Sequence, residues 1–184
     1  MKIFLIIFVI LNTPSIFAKN ISDFQIEGIS IGDSLLNYFN EEEILKFQRS
    51  YKSNREFISS EFPINSSKYD TFGAYYKFND KNYIIHGILG LKMYEKNIQD
   101  CYNRSEEISK LIIKNYKNKE WEKRDLEDVD GYFTFNNIYL DSGILSVGCY
   151  DWNLAIEKKK AWLDHLRVRF YSHELQEWHN KNYT

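Results

Sequence analysis

The sequence predicts an α+β fold: a mainly antiparallel sheet built from hairpins, packed by one long central helix and by short terminal helices. Three observations carry this. Tyr69–Phe78 and Tyr83–Tyr94 are rich in aromatic and β-branched residues and flank the turn residues Asn79-Asp80-Lys81-Asn82. Tyr132–Leu140 and Ile144–Trp152 repeat the arrangement around Asp141-Ser142-Gly143. Between them Ile98, Cys101, Ser105, Ile108 and Ile112 recur in steps of three and four, as one face of a helix does. Hairpins mixed with helices argue for an antiparallel sheet rather than βαβ units.

The remaining elements follow in order. Asp23–Ile31 alternates Phe24 and Ile26 with Ile29 and Ile31 beyond Gly28, and reads as a first strand. Asp33 is placed to cap a short helix from Ser34 to about Phe39. Asn40 and Glu43 have capping-box spacing for a second helix through Phe47. Residues 48–68 are polar and poorly patterned, a loop with one short element near Phe57. Asn97 opens the long helix, which runs to about Tyr116. Lys117–Asp130 is charged and exposed. Leu166, Val168 and Phe170 mark one face of a late strand over Leu166–Tyr171, and His173–Asn180 closes the chain as a helix. No linker, repeat or low-complexity tract divides residues 19–184, so they read as a single domain after the leader.

Met1–Ala18 has the layout of a secretory signal peptide: Lys2, an apolar run from Ile3 to Leu11, a polar break at Asn12–Pro14 and the small Ala18. The run is far shorter than the ~20 residues that span a bilayer, and no second one follows, so the mature chain has no transmembrane segment. The expected location is periplasmic or secreted after cleavage near Ala18. In an exported chain, the two cysteines suggest a disulfide. Cys101 lies on the helical stripe and Cys149 on the Leu145–Val147–Cys149 face of a strand, so helix packing on that strand brings the sulfurs together. The alternative is a pair of buried free thiols.

The chain has 184 residues, 43% apolar and 27% charged, with a net charge of −2, which places it in the ordinary globular class. No basic excess neutralises phosphates, so nucleic-acid binding is disfavoured. Its 14 Tyr, 13 Phe and 4 Trp suggest a recognition surface. They also accompany abundant Lys, Ile and Asn, residues that share A/T-rich codons with Phe and Tyr. Asn abundance likewise accounts for the N-x-S/T sequons at Asn20, Asn65, Asn103 and Asn182.

Several motifs imitate sites. His173-Glu174-Leu175-Gln176-Glu177 opens like a zincin helix but carries Glu177 where the second His belongs. Asp128-Val129-Asp130-Gly131 echoes a calcium loop, yet Leu126 and Asn137 occupy its anchoring positions. Gly28-Ile29-Ser30-Ile31-Gly32 matches the nucleophile-elbow string, but too little chain precedes it after cleavage to supply the earlier strands. Lys158–Lys160 near Trp152 and Trp162 reads as a solvated face before a lipid contact. No metal or cofactor is expected.

Gly32-Asp33-Ser34-Leu35 resembles the first block of the GDSL-type ester hydrolases, and that resemblance implies Ser34 as a nucleophile. The family's Asp-x-x-His block has no counterpart: Asp164 and His165 are adjacent. Its Gly-x-Asn-Asp block is echoed only by Lys77-Phe78-Asn79-Asp80. GISIGDSLL, YIIHGILG, Asp100-Cys101-Tyr102 and Cys149-Tyr150-Asp151-Trp152 together resemble a group of small exported proteins of A/T-rich marine alphaproteobacteria. That resemblance implies a compartment and no activity. The expected function is therefore a non-catalytic binding or envelope-accessory domain, engaging an envelope protein or a small ligand through a Tyr- and Phe-rich sheet surface. Ester hydrolysis at Ser34 is the alternative.

Overall fold

The computed structural model describes residues 24–49, 56–95 and 97–183; the leader Met1–Ala18 and the sequon at Asn20 lie outside them. The architecture is α+β. Eight antiparallel strands form one sheet in the order β1-β2-β3-β4-β8-β7-β6-β5. The strands are β1 (Gln48–Arg49), β2 (Phe57–Pro63), β3 (Thr71–Lys77), β4 (Ile85–Met93), β5 (Trp121–Glu127), β6 (Gly131–Leu140), β7 (Gly143–Trp152) and β8 (His165–Ser172). Helices α1 (Glu41–Lys46), α2 (Ile98–Asn115), α3 (Leu154–Lys160) and α4 (His173–Tyr183) join or flank them. Strands β1–β4 and β5–β7 are two meanders, and β8 enters last to bridge β4 and β7.

Alternation along β8 sets the two faces of the sheet. Leu166, Val168 and Phe170 point to the α2 side, opposite Cys149, Val147 and Leu145 of β7. There they meet Cys101 and Ile112 of α2, all of them buried. Burying each such large apolar side chain stabilises the fold by roughly 1.5–3 kcal/mol. The helix starts where expected: the Asn97 side chain accepts from the Gln99 amide, and Tyr116 is its C-cap. The Cys101–Cys149 disulfide forms across this interface, with Cα atoms 6.0 Å apart. On the opposite face α4 buries Leu175 and Trp178 against Phe57, Tyr75, Leu89 and Tyr171. Gly87 allows that approach, since a Cβ there would collide with the side chains of Leu175 and Tyr171.

Both expected hairpins form, as does the capping box of α1. Five details differ. The expected first strand over Asp23–Ile31 is a tight turn bridging Ile26 and Ile29, because Glu27 and Gly28 both take positive φ and reverse the chain. Ser34, not Asp33, caps the next short helix (Leu35–Asn37), while the Asp33 carboxylate accepts from the Ser30 amide and the Tyr38 hydroxyl. Within 48–68, β2 is a full strand whose alternation is hidden because both of its faces are buried. The charged stretch after α2 contains β5, an edge strand whose charges discourage pairing with another chain. Helix α3 buries none of its residues, and so has no apolar stripe to announce it.

Replacing both Cys101 and Cys149 by Ala is expected to cost about 4 kcal/mol, because the bond closes a loop of 48 residues in the unfolded chain. Guanidinium unfolding of oxidised wild type against the double variant measures this. An unchanged midpoint would mean the bond constrains little.

Candidate functional site

Ser34 is occupied as a cap. Its hydroxyl donates to the Asn82 carbonyl at 2.6 Å and accepts from the Leu36 amide, and an isolated bridge to Ile84 holds it against the β3–β4 turn. Asp80 in that turn accepts from the Asn82 and Ile84 amides. Neither group is directed to activate the other. The remaining motifs also resolve into local structure. Asp128 accepts from the amides of Asp130 and Gly131 in a turn. Glu174 pairs with Lys77 and lies 3.3 Å from His86, tying the start of α4 to the sheet. Among the described residues no three His, Cys, Asp or Glu side chains gather to hold a metal ion.

The unusual chemistry lies on the face of the sheet shared with α4. Here β8, a central strand, presents His165, Arg167, Arg169 and Tyr171 in alternation, the reverse of its apolar α2 face. Arg167 sits between Leu91 of β4 and Gly148 of β7. Its Nη1 donates to the Tyr150 hydroxyl at 3.2 Å, its Nη2 faces His165 Nε2 at 3.3 Å, and the guanidinium lies 4.2 Å from the Tyr150 ring centre. Its Nε is buried without a hydrogen-bond partner. Among the described residues no carboxylate forms an ion pair with Arg167 or Arg169. Arg169 instead lies over the Tyr171 ring.

His165 is locked as an acceptor toward this arginine. Its Nδ1 is 2.7 Å from the Leu163 carbonyl, which has no proton to give, so Nδ1 carries the hydrogen and Nε2 accepts from Arg167. Burial, reinforced by the Arg167 charge, pushes the His165 pKa down to about 4. The ring also stacks on Tyr150, 4.7 Å between centres.

A cavity of about 230 Å³ opens beside Arg167, walled by Tyr75, Tyr171, Leu89, Leu91 and the Trp178 and His179 side chains of α4. Glu61 lies on its rim and is already engaged with Arg49 at 3.4 Å. Burial, with the charges of Arg169 and Arg167, also pushes His179 down to about 4. The cavity therefore offers a cation, apolar and aromatic walls and the neutral His179 imidazole, with the Glu61 carboxylate at its rim. Its size is below the ~300–1,000 Å³ typical of drug-sized sites, which suits a ligand of roughly one ring. The sequence reading took from β8 only its apolar positions. The signal it passed over was His165, Arg167 and Arg169 at alternate positions of a strand whose other face is apolar.

Two suppressed imidazoles make stability depend on pH. Between the ordinary value of 6.5 and about 4 the unfolded chain binds protons that the folded chain does not, so stability is lost as pH falls through that window. For His165 the loss approaches on the order of 3 kcal/mol at its lower end. Guanidinium midpoints at neutral pH and near pH 4.5 measure it, and His165→Gln is expected to flatten the slope. A midpoint insensitive to pH would mean that both rings titrate normally.

No protein-family model matches the chain, and neither the curated proteins nor the solved structures contain a match.

Proposed function

We propose that the protein is an exported, non-catalytic binding domain, periplasmic or secreted, whose ligand is a small organic anion held in the Arg167 cavity. The observation that carries this reading is a guanidinium on a central strand, with a buried Nε left unpartnered and, among the described residues, only the neutral Tyr150 and His165 as hydrogen-bond partners. Desolvating a cation costs several kcal/mol unless an anion or a full set of hydrogen bonds offsets it. A carboxylate offsets it well, because guanidinium and carboxylate match in geometry. The aromatic and leucine walls then favour an apolar body behind that carboxylate, such as an aryl or short alkyl group.

Export is supported by the leader-like Met1–Ala18 and by an oxidised Cys101–Cys149 pair, which fits an extracytoplasmic protein. Among the described residues no helix is long and apolar enough to cross a membrane.

Calorimetric titration with phenylacetate, benzoate and hexanoate, each against its neutral amide, tests the ligand class. At least one acid is expected to bind and its amide to bind more weakly by about tenfold or more. Arg167→Met is expected to abolish that binding while raising the melting temperature, since it removes a half-buried charge with an unpartnered Nε and keeps most of the volume. Equal binding of acid and amide, or a falling melting temperature in Arg167→Met, would overturn the reading. The export reading predicts a mature N-terminus just after Ala18 in protein recovered from outside the cytoplasm, read by intact mass. An uncleaved chain there would contradict it.

A further inference from the structure

A second cavity lies on the other face of the sheet, and its chemistry is different. Helix α2 packs over β7 and β8 but stops short of covering β5 and β6, leaving a groove of about 470 Å³. Its floor on the helix side is Ser105 and Ser109, only 2% and 4% exposed, and neither hydroxyl has a hydrogen-bond partner. On the sheet side Thr134 and Asn136 of β6 line the same groove. Thr134 Oγ1 already accepts from the Cys149 amide. Trp121, 51% exposed, and Tyr132 stand at its mouth.

Two buried, unsatisfied hydroxyls one helical turn apart are costly, because each has given up water without gaining a partner. Both belong to the stripe that faces the sheet, where Ala fills the same space without that cost. We infer that the groove is a ligand site for a neutral polyhydroxylated chain, a segment of glycan, whose hydroxyls supply those missing partners.

Three features select that class. The helix rises about 6 Å between Ser105 and Ser109, comparable with the span between hydroxyls on opposite sides of a pyranose ring. Each ligand hydroxyl both donates and accepts, as Ser, Thr and Asn side chains require of a partner. Trp121 and Tyr132 offer exposed amphipathic rings against which the C–H face of a sugar packs. An anion is not favoured, because the rim charges are satisfied among themselves: Glu106 pairs with Lys110 at 2.7 Å and also interacts with Lys123. A peptide strand is not favoured either, since the unpartnered groups are side-chain hydroxyls of α2 and not the backbone groups of a strand edge. The inference is independent of the Arg167 cavity, which opens on the opposite face.

The test uses the oxidised exported protein with cellotetraose, maltotetraose and chitotetraose, read by calorimetry and by tryptophan fluorescence. At least one is expected to bind below about 10 mM, with a change in Trp emission. Ser105→Ala/Ser109→Ala is expected to weaken that binding by about tenfold or more while leaving the melting temperature unchanged or raised. Trp121→Ala is expected to weaken binding with the fold intact, and Arg167→Met to leave it unchanged. Absence of binding by all three tetrasaccharides overturns the inference. So does a double-Ala variant that melts several degrees lower, which would assign the hydroxyls to the fold, or one that binds as the wild type does.

Discussion

The Cys101–Cys149 bond joins the first turn of α2 to the middle of the sheet, and much of the molecule is arranged around that attachment. With the helix held over β7 and β8, the stripe of Cys101, Ser105, Ser109 and Ile112 must face the sheet, flanked by the partly buried Ile98, Tyr102, Ile108 and Ile113. The same placement leaves β5 and β6 uncovered on that side, which creates the Ser105–Ser109 groove. It also assigns the faces of β8: Leu166, Val168 and Phe170 are committed to the helix side, so His165, Arg167 and Arg169 are committed to the other. A slip of one residue in the β7–β8 register would exchange those sets and bury two guanidinium groups under α2. The disulfide fixes which face of β7 meets α2, and the apolar pairs Cys149–Leu166, Val147–Val168 and Leu145–Phe170 then oppose such a slip.

The α4 face carries the greater energetic tension. A charged side chain on a central strand is stable only where its desolvation is offset, and here the hydrogen-bonded partners are Tyr150 and His165, with the Glu61 carboxylate acting only through space. His165 can serve only as a neutral acceptor, which its bond to Leu163 and its burial both enforce. Arg167 is thus held in place and kept charged without being neutralised. A structural arginine is more economically paired with a carboxylate. Glu61, the acid nearest to that role on the cavity rim, is turned to Arg49 instead.

What was legible in the sequence was whatever carried a local signal. The β3–β4 and β6–β7 hairpins showed themselves through aromatic and β-branched runs on either side of turn residues, and the α2 stripe and the cysteine pairing through helical spacing. β2 escaped because it is buried on both sides, with Ser59 and Ser60 as small polar fillers, Ser60 bonded to the Ile44 carbonyl and the Tyr76 hydroxyl. β5 escaped because an edge strand needs only backbone pairing on one side. The Arg167 site escaped for a different reason. Its members come from β8, β4, β3 and α4, and nothing local in the sequence shows that an arginine lacks an acid; that depends on which residues the sheet order makes neighbours. Ser34 was conspicuous in the sequence, and its hydroxyl is engaged in capping.

The most direct test of the account is the state of the Arg167 side chain itself. In ¹⁵N NMR spectra the arginine Nε–H resonances are resolved from the backbone, and Arg167→Lys identifies the one that belongs to this site. The account predicts a Nε–H that exchanges slowly with solvent in the free protein and shifts when phenylacetate is added, with the other arginine signals unmoved. A signal that exchanges as fast as those of exposed arginines and ignores the acid would show that Arg167 is a solvated surface charge, and the proposed site would fall with it.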